Sequence, residues 1–186
     1  MKDLILFGMQ GSGKGTQGKL LAEKYGYQIF ETGAELRKLT EENSELGRKV
    51  KDIVQRGDLV PNEIVMEIGD HFLNNTDLSR PVLFDGIPRS LPQKATLDAL
   101  LEKHERKILG IFLEVDEEEA TKRLLLRARS DDNEAAIRRR IENYRKETLP
   151  VIEKYESAGI LFRTNGLQEV TTVFSEVSEI IEEEGG

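Results

Sequence analysis

The sequence predicts an α/β fold in which a five-stranded parallel sheet carries helices on both faces. Short apolar segments alternate along the chain with longer segments of helical periodicity. The apolar segments show no inside–outside alternation, which is typical of parallel strands buried on both faces. With 186 residues, 38% of them hydrophobic and 33% charged, the chain is long enough for one domain with a substantial core.

Apolar spacing and helix-ending residues predict each element in order. Strands are predicted at residues 4–7, 28–30, 81–84, 108–115 and 160–163. Helices are predicted at residues 17–25, 34–40, 46–56, 63–73, 91–105, 117–127, 134–155 and 170–181. The first helix stops at Gly26, a residue type that favours helix C-termini. The last helix has apolar residues at positions i, i+3, i+4, i+7, i+10 and i+11 from Val170, which form an almost complete apolar stripe.

Two regions interrupt the alternation of strands and helices. Residues 32–73 are predicted to form three helices with no strand between them, and residues 129–134 form a polar, charged stretch between two helices. Inserts of this kind in α/β folds tend to lie over the carboxyl edge of the sheet, where ligands bind. We therefore expect both regions to face a ligand site.

A glycine-rich loop follows the first predicted strand and carries the strongest functional signal. It begins at Gly8 and continues through Gly13 and Lys14 to Thr16. Glycines allow several backbone N–H groups to point into one concavity, which fits a phosphate together with the positive end of the next helix. Lys14 can reach the outer phosphates, and the hydroxyl can meet a metal. In one deviation from the usual pattern, Gly15 follows the lysine and the hydroxyl comes one residue later.

Composition excludes several classes of protein. No apolar run approaches the roughly 20 residues that a bilayer span needs, and the start of the chain has no signal-peptide pattern. There are no cysteines, which excludes disulfides, thiol nucleophiles and cysteine zinc sites, and suits a reducing compartment. The net charge of -8 argues against general affinity for nucleic acids.

The basic residues are concentrated in one segment of this acidic chain. Residues 122–146 contain nine Lys or Arg residues against four Asp or Glu residues. A local anionic ligand would explain this clustering. A solvated helical face with salt bridges is the alternative, since one helix cannot direct Arg138, Arg139 and Arg145 at one site.

Five motifs together resemble one family. They are Gly-Ser-Gly-Lys-Gly-Thr-Gln at residues 11–17, Thr32-Gly33 with Arg37, Gly57-Asp58-Leu59-Val60, Asp85-Gly86-Ile87-Pro88-Arg89 with Gln93, and Arg129-x-Asp131-Asp132 with Arg140. Their order and spacing are similar to those of the adenylate kinases. From Gly8 to Gly166, the resemblance covers nearly the whole chain.

The resemblance implies an activity and a domain plan. The activity is reversible, Mg²⁺-dependent transfer of the terminal phosphoryl group of ATP to AMP, giving two ADP, in adenine nucleotide homeostasis. The plan is a P-loop NTPase core (residues 1–31, 74–126 and 138–186), a helical AMP-binding insert (32–73) and a very short lid (127–137). We expect a cytoplasmic monomer that binds ATP, AMP and ADP, but no nucleic acid, membrane or zinc.

The resemblance also implies roles for individual residues. The ATP site comprises Gly11, Ser12, Gly13, Lys14, Gly15, Thr16, Arg123, Arg127, Gly166 and Gln168. The AMP site comprises Thr32, Gly33, Arg37, Asp58, Leu59, Val60, Gly86, Ile87, Pro88, Arg89, Gln93, Arg129 and Arg140. The residues that act on the transferred phosphoryl group are Lys14, Arg89, Arg127, Arg129 and Arg140. Asp85 is expected to hold the metal through water, and Thr16 is a second candidate for the metal.

Alternatives remain for some of these roles and for the function. Asp85 is also in a position to cap a turn, and Arg123, expected to stack on the ATP adenine, is alternatively a surface residue. A UMP-CMP kinase is an alternative function that differs from an adenylate kinase in the phosphoryl acceptor. Thr32 and Gln93 follow the adenylate kinase pattern, and a Gln can pair with the N6/N1 edge of adenine. A P-loop binding or switch protein would share Lys14 and Thr16 but would not need an acceptor site.

The sequence departs from the family's pattern at four places. Ala34 replaces the Asp that usually follows Thr-Gly, which removes a helix cap. Ile87 replaces the usual Phe, and Met9-Gln10 replace the usual small residue and proline of the glycine-rich loop. The lid, from Arg127 to Asp132, is shorter than the family's short type, so less chain is available to cover ATP.

Overall fold

Five parallel strands form the central sheet of the protein. They are β1 (Asp3–Phe7), β2 (Gln28–Glu31), β3 (Val82–Asp85), β4 (Ile108–Glu114) and β5 (Leu161–Asn165). The structure is a computed structural model that describes residues 1–127, 129 and 132–185. Within these residues the strand order is β2-β3-β1-β4-β5, and every neighbouring pair is parallel. The predicted five-stranded parallel sheet is confirmed.

Helices connect the strands and cover the sheet. They are α1 (Lys14–Tyr25), α2 (Thr32–Glu41), α3 (Glu45–Arg56), α4 (Asn62–Asn74), α5 (Leu91–Lys103), α6 (Glu117–Arg127), α7 (Glu134–Asn143), α8 (Leu149–Ser157) and α9 (Val170–Glu184). As predicted, α2, α3 and α4 follow one another between β2 and β3. Within the described residues, no helix has both the length and the apolar composition needed to cross a membrane.

Apolar side chains bury both faces of the sheet. Leu4 and Leu6 of β1 pack with residues of α1 and α9 on one face. Ile5 and Phe7 belong to the core of the opposite face, which includes residues of α2 to α5 and of α8. Successive residues of a strand point to opposite faces, so both cores share the same strands. This arrangement fixes the strand ends that carry the functional loops.

The register aligns the carboxyl ends of the strands. Leu6 of β1 pairs with Asp85 of β3, and Glu31 of β2 pairs with the same aspartate. On the other side, Phe7 pairs with Phe112 of β4. The segments that follow these strands therefore leave the sheet at one edge, where α/β folds bind ligands.

The structure differs from the predicted bounds at several helices: α2 begins at Thr32 rather than at residue 34, and α9 ends at Glu184 rather than at residue 181. Two further differences bear on the site. α1 begins at Lys14 rather than at residue 17, directly after Gly13, whose φ of 99° ends the loop. The predicted helix over residues 134–155 is divided by a π-helical turn, Tyr144–Thr148. Pro150 lies in the first turn of α8, where proline is tolerated because an N–H at that position has no partner within the helix.

Candidate active site

A cleft of about 1030 Å³ opens at the carboxyl edge of the sheet. Its lining comes from the glycine-rich loop, the starts of α1 and α2, the α3–α4 loop, the β3–α5 loop, α6, α7 and the β5–α9 loop. The inserts that interrupt the strand–helix alternation thus contribute to the same cleft as the glycine-rich loop, as the sequence predicts.

The glycine-rich loop makes close contacts that exclude larger side chains. Gly8 has a φ of 146°, and a Cβ there would collide with Ser12 Oγ. Gly11 has a φ of 89°, and a Cβ there would lie 2.6 Å from the carbonyl oxygen of Ala120 in α6. At the start of α1, the N–H groups of Lys14 and Gly15 have no preceding helical carbonyl to bind. Together with the helix dipole, they form a site for an anion.

The side chain of Lys14 lies across this loop. Its Nζ donates to the carbonyl oxygens of Gly8 at 2.7 Å and Met9 at 3.0 Å. Burial is the main cause that lowers the pKa of Lys14 to about 8, and the charges of Arg89 and Arg127 act in the same direction. Because the ammonium is destabilised in the free protein, an incoming phosphate would stabilise it.

Asp85 supplies a carboxylate at the end of β3, beside the anion site. The side chain is buried, and a Cβ added at Gly15 would lie 3.9 Å from its Oδ2, so the carboxylate faces the first turn of α1. Burial raises the pKa of Asp85, while the charges of Lys14 and Arg89 oppose the rise. A carboxylate oxygen is the type of ligand that a hydrated divalent cation prefers.

Three arginines, hereafter the arginine clamp, meet around one buried carboxylate. Asp132, whose side chain has no exposed surface, accepts bonds at 2.9 and 2.8 Å from Arg127 Nε and Nη2. It also accepts from Arg140 Nη1 at 3.0 Å and from the backbone N–H of Arg129 at 3.3 Å. Burial alone would raise the pKa of Asp132, but the hydrogen bonds and charges of these partners outweigh it and lower the pKa. The carboxylate therefore holds the clamp assembled.

Two hydrogen bonds hold Arg89 in place, one through its guanidinium and one through its backbone carbonyl. Its Nε donates to the carbonyl oxygen of Gly86 at 2.7 Å, and its carbonyl accepts from Thr148 Oγ1 at 3.0 Å. Burial is the main cause that lowers its pKa, assisted by the charges of Arg140 and Arg37. The π-helical turn thus has a consequence for the site, because it places Thr148 against Arg89.

The half of the cleft beneath α2 contains the residues expected to bind AMP. Thr32 is buried at the start of α2, and its hydroxyl has no hydrogen-bond partner among the described residues. Arg37 Nη2 lies 2.9 Å from Glu31 Oε1. Gln93 Oε1 accepts from the backbone N–H of Arg89 at 2.8 Å, so part of its acceptor capacity is already used. Its amide N–H groups are the better candidates to contact a base.

The opposite half is bounded by α6 and the β5–α9 loop. Arg123 Nη1 donates to the carbonyl oxygen of Gly166 at 3.1 Å, and its Nε donates to Glu119 at 2.8 Å. A Cβ at Gly166 would lie 2.7 Å from Val115 Cγ2, so the loop packs directly on the end of β4. Gln168 bonds to Glu176 Oε1 at 2.8 Å. These contacts hold the guanidinium of Arg123 against the β5–α9 loop.

The α3–α4 loop docks on α7. Arg139 Nε donates to Asp58 Oδ1 at 2.8 Å, and Asn143 Nδ2 donates to the carbonyl oxygen of Gly57 at 3.0 Å. Gly57 has a φ of 77°, and a Cβ there would collide with the carbonyl oxygen of Ala136. The hydrogen bonds from Arg139 and Arg56 lower the pKa of Asp58. Asp58 lines the cleft, but its carboxylate is engaged by arginines.

Comparison with known proteins decides the family. A sequence model described as Adenylate kinase matches residues 6–160. The Adenylate kinase of Thermus thermophilus is 41% identical over 179 residues, covering 94% of each chain. The chain belongs to the adenylate kinase family. Among other relatives, the Adenylate kinase of Rhizobium meliloti is 38% identical over 189 residues, covering 96% of this chain and 98% of the relative. That of Archaeoglobus fulgidus is 32% identical over 212 residues, covering 97% and 98%.

Most residues that the adenylate kinase resemblance singled out meet in the cleft. Those that line it are Gly11, Ser12, Gly13, Lys14, Gly15, Thr16, Thr32, Gly33, Arg37, Asp58, Leu59, Val60, Asp85, Gly86, Arg89, Gln93, Arg123, Arg127, Arg129, Arg140, Gly166 and Gln168. Ile87 and Pro88 do not line it; they line a separate cavity of about 30 Å³. Of the predicted lid, Ala128, Ser130 and Asp131 lie outside the described residues.

Sequence reasoning missed several residues of this adenylate kinase site. Asp132 was noticed only as part of a motif, although it joins the clamp. Glu31 and Glu119 orient Arg37 and Arg123, and both line the cleft. The spacing of four residues between Glu119 and Arg123 on one helix was an available signal. The contact of Glu31 depends on the turn from β2 into α2, which no local pattern reveals.

Proposed function

We propose that the protein is an adenylate kinase that transfers the terminal phosphoryl group of ATP to AMP, giving two ADP. The observation that carries the proposal is the row of cations between the two halves of the cleft. Lys14, Arg89 and the arginine clamp all line the same cleft, between the Arg123–Gly166 edge and the Thr32–Gln93 side. One nucleotide on each side would bring their phosphates together at these cations.

The chemistry needed at that point is alignment and charge stabilisation. In the transfer, a terminal phosphate oxygen of AMP bonds to the γ-phosphorus as the bond from that phosphorus to the β–γ bridging oxygen breaks. Lys14, with a pKa near 8 in the free protein, would follow the transferred group with its ammonium. Planar guanidiniums bind phosphate oxygens in pairs and stay charged, which suits Arg89 and the clamp to hold both nucleotides in line.

We propose that Asp85 holds Mg²⁺ through bound water, with Thr16 as a further oxygen ligand. Mg²⁺ is usually bound by one or two carboxylates together with phosphates and water. A buried carboxylate facing the first turn of α1 fits that preference. When bound, the ion would neutralise negative charge on the phosphates. Within the described residues, no group of three or more His, Cys, Asp or Glu side chains forms a metal cage.

The two bases would be selected by different contacts. We assign AMP to the side of α2, where Thr32, whose hydroxyl has no partner among the described residues, and Gln93 line the cleft. We assign the ATP adenine to the edge of Gly166, beside Arg123, where a guanidinium can stack on a ring. The insert (residues 32–73) and the lid (residues 127–137) are proposed to close over AMP and ATP. Family membership supports extending the proposal to a monomer that uses free nucleotides in the cytoplasm.

An acceptor series tests the proposal. Initial rates of ADP formation from Mg²⁺-ATP are measured with AMP, CMP, UMP and no acceptor. We expect AMP to be preferred strongly and the rate without acceptor to be small. Preference for CMP or UMP would assign the protein to pyrimidine acceptors instead. Equal rates with and without any acceptor would indicate a P-loop ATPase or switch protein.

A further inference from the structure

Glu31 is a charged residue of the cleft to which the proposed mechanism gives no part. It is the last residue of β2, and it lines the cleft together with Arg37. Its partner in the sheet register is Asp85, the last residue of the neighbouring parallel strand. Burial is the main cause that raises the pKa of Asp85, and the negative charge of Glu31 adds to the rise. The Glu31 carboxylate therefore lies in the part of the cleft assigned to the metal and the phosphates.

The carboxylate of Glu31 is directed at Arg37. Glu31 is the N-cap residue of α2, and a side chain at this position often accepts from an N–H of the first helical turn. The side chain of Glu31 makes no such bond, and its Oε1 accepts from Arg37 Nη2 at 2.9 Å instead. A Cβ added at Gly33 would lie 3.2 Å from Arg37 Nη1 and 3.9 Å from Glu31 Oε1. The ion pair thus packs on the first turn of α2, where a glycine leaves room for it.

Arg37 is the cation that α2 contributes to the lining of the cleft. AMP carries its negative charge on a single phosphate, and a planar guanidinium binds phosphate oxygens in pairs. Burial is the main cause that lowers the pKa of Arg89, and the positive charge of Arg37 contributes. The two guanidiniums are therefore close enough to act on one phosphate. In the free protein, the anion bound to Arg37 is the carboxylate of Glu31.

We propose that Glu31 sets the affinity of the cleft for AMP, because its carboxylate neutralises Arg37 in the free protein and the phosphate of AMP displaces it. The proposal rests on the proposed function, which assigns AMP to the side of α2. No proton moves and no covalent bond breaks in the exchange; one anion replaces another on the guanidinium. The side chains of Glu31 and Arg37 are 32% and 35% exposed, so the released carboxylate can turn towards solvent. Glu31 thus opposes the binding of AMP.

Removal of the carboxylate separates displacement from a purely orienting role by the sign of the effect. If the phosphate displaces Glu31, a neutral residue leaves Arg37 available and AMP binds more tightly. If Glu31 stays on Arg37 while the phosphate binds the other N–H groups, its loss weakens AMP binding. Glu31→Gln keeps the size of the side chain, and Glu31→Ala is a second variant in case the first fails to fold. Glu35→Gln is the matched control, since Glu35 pairs with Lys38 on the same helix at 2.7 Å and does not line the cleft.

For each protein, the Kd for AMP is measured by calorimetry without ATP, and kcat/KM for AMP is measured with ATP. We expect Glu31→Gln to lower the Kd by about 2- to 10-fold, since it removes a partly exposed ion pair and a like charge beside the phosphate. Glu31→Ala should act in the same direction, and Glu35→Gln should change the Kd by less than about 1.5-fold. Arg37→Gln should raise the Kd and lower kcat/KM for AMP. In that background, Glu31→Gln should give a smaller gain than in wild type, because Glu31 acts through Arg37.

The outcomes distinguish failure of this inference from failure of the proposed function. A wild-type protein that forms no ADP from ATP and AMP would overturn the proposed function, and one that also binds no AMP would overturn this inference with it. With an active wild type, a Kd for AMP that rises or stays within about 1.5-fold in the Glu31 variants would overturn this inference alone. A gain of the same size in the Arg37→Gln background would show that Glu31 does not act through Arg37, and would overturn it as well.

Discussion

Replacement of Asp132 by Asn removes the charge at the centre of the arginine clamp. The Asp132 side chain is fully buried, and it accepts bonds from Arg127, Arg140 and the backbone of Arg129. An Asn has nearly the same shape, but its amide would direct N–H groups at guanidiniums that only donate. The substitution therefore leaves two positive side chains facing each other without the negative charge that balances them, because an Asn Oδ1 still accepts hydrogen bonds but is neutral.

The structure sets the magnitude of the effect. Removal of one partner from a fully buried ion pair costs about 3–5 kcal/mol. Arg140 is only 10% exposed, but the side chain of Arg127 is 34% exposed and can recover hydration. We therefore expect the free energy of unfolding to fall by about 2–3 kcal/mol, which lowers Tm by about 5–10 °C in a chain of this size. Transfer should fall at least about tenfold at temperatures where both proteins are folded, because the clamp loses its alignment.

Thermal unfolding followed by circular dichroism, with kcat measured well below both transitions, checks this prediction. Glu142→Gln is the matched control: Glu142 bonds to Arg139 at 3.1 Å, but both side chains are about half exposed or more. Surface pairs of this type contribute little, so the control should change stability by less than about 0.5 kcal/mol. If Asp132→Asn has the Tm and kcat of wild type, the clamp does not depend on its buried carboxylate.

Three other perturbations test separate parts of the site. Gln93→Ala should weaken transition-state binding with AMP as acceptor by about 1–3 kcal/mol, which lowers kcat/KM for AMP and reduces its ratio to kcat/KM for CMP. Gln93→Glu, which keeps an acceptor for the Arg89 backbone N–H but loses the donor, should also reduce this AMP:CMP ratio. An unchanged ratio in both variants would show that Gln93 does not contact the base. Lys14 has a pKa of about 8 in the free protein and acts while protonated, so kcat/KM for ATP should fall as the pH rises through about 8. The value of kcat, which is measured with the phosphates bound, should fall only at higher pH. Equal pH profiles for the two constants would contradict this role of Lys14. Insertion of a few residues between Ala128 and Arg129 should lower the release of phosphate from ATP alone while preserving transfer, since a longer lid excludes water better; no decrease would mean that lid length does not limit water exclusion.

Local patterns were sufficient to predict most of the fold. Each strand contains a short apolar segment, and the structure has strands at all five predicted segments. The glycine-rich loop was equally clear, because its glycines, Lys14 and the following helix are adjacent in sequence. These signals lie within a few residues of one another, so no tertiary contact is needed to interpret them.

The parts that sequence reasoning missed depend on contacts between distant segments. Asp132 becomes the centre of the clamp only because α6 and α7 bring Arg127 and Arg140 to it. The docking of Asp58 on Arg139 joins residues 81 positions apart. For Gln93 the sequence predicts a contact with the N6/N1 edge of adenine, and the structure adds a contact that no local pattern reveals, in which its carbonyl oxygen accepts from the backbone N–H of Arg89.

If the cations of this cleft move a phosphoryl group from ATP to AMP, the stoichiometry of the products will show it. Wild type and Lys14→Met are incubated with Mg²⁺, ATP and AMP, and every nucleotide and free phosphate is quantified over time. Wild type is expected to form two ADP for each ATP consumed, with little free phosphate. Lys14→Met is expected to keep its circular dichroism spectrum and to transfer at least about 100-fold more slowly, the loss expected when a charge-stabilising group is removed. Release of phosphate in place of a second ADP, or a Lys14→Met rate within a few-fold of wild type, would show that these cations do not carry out the transfer.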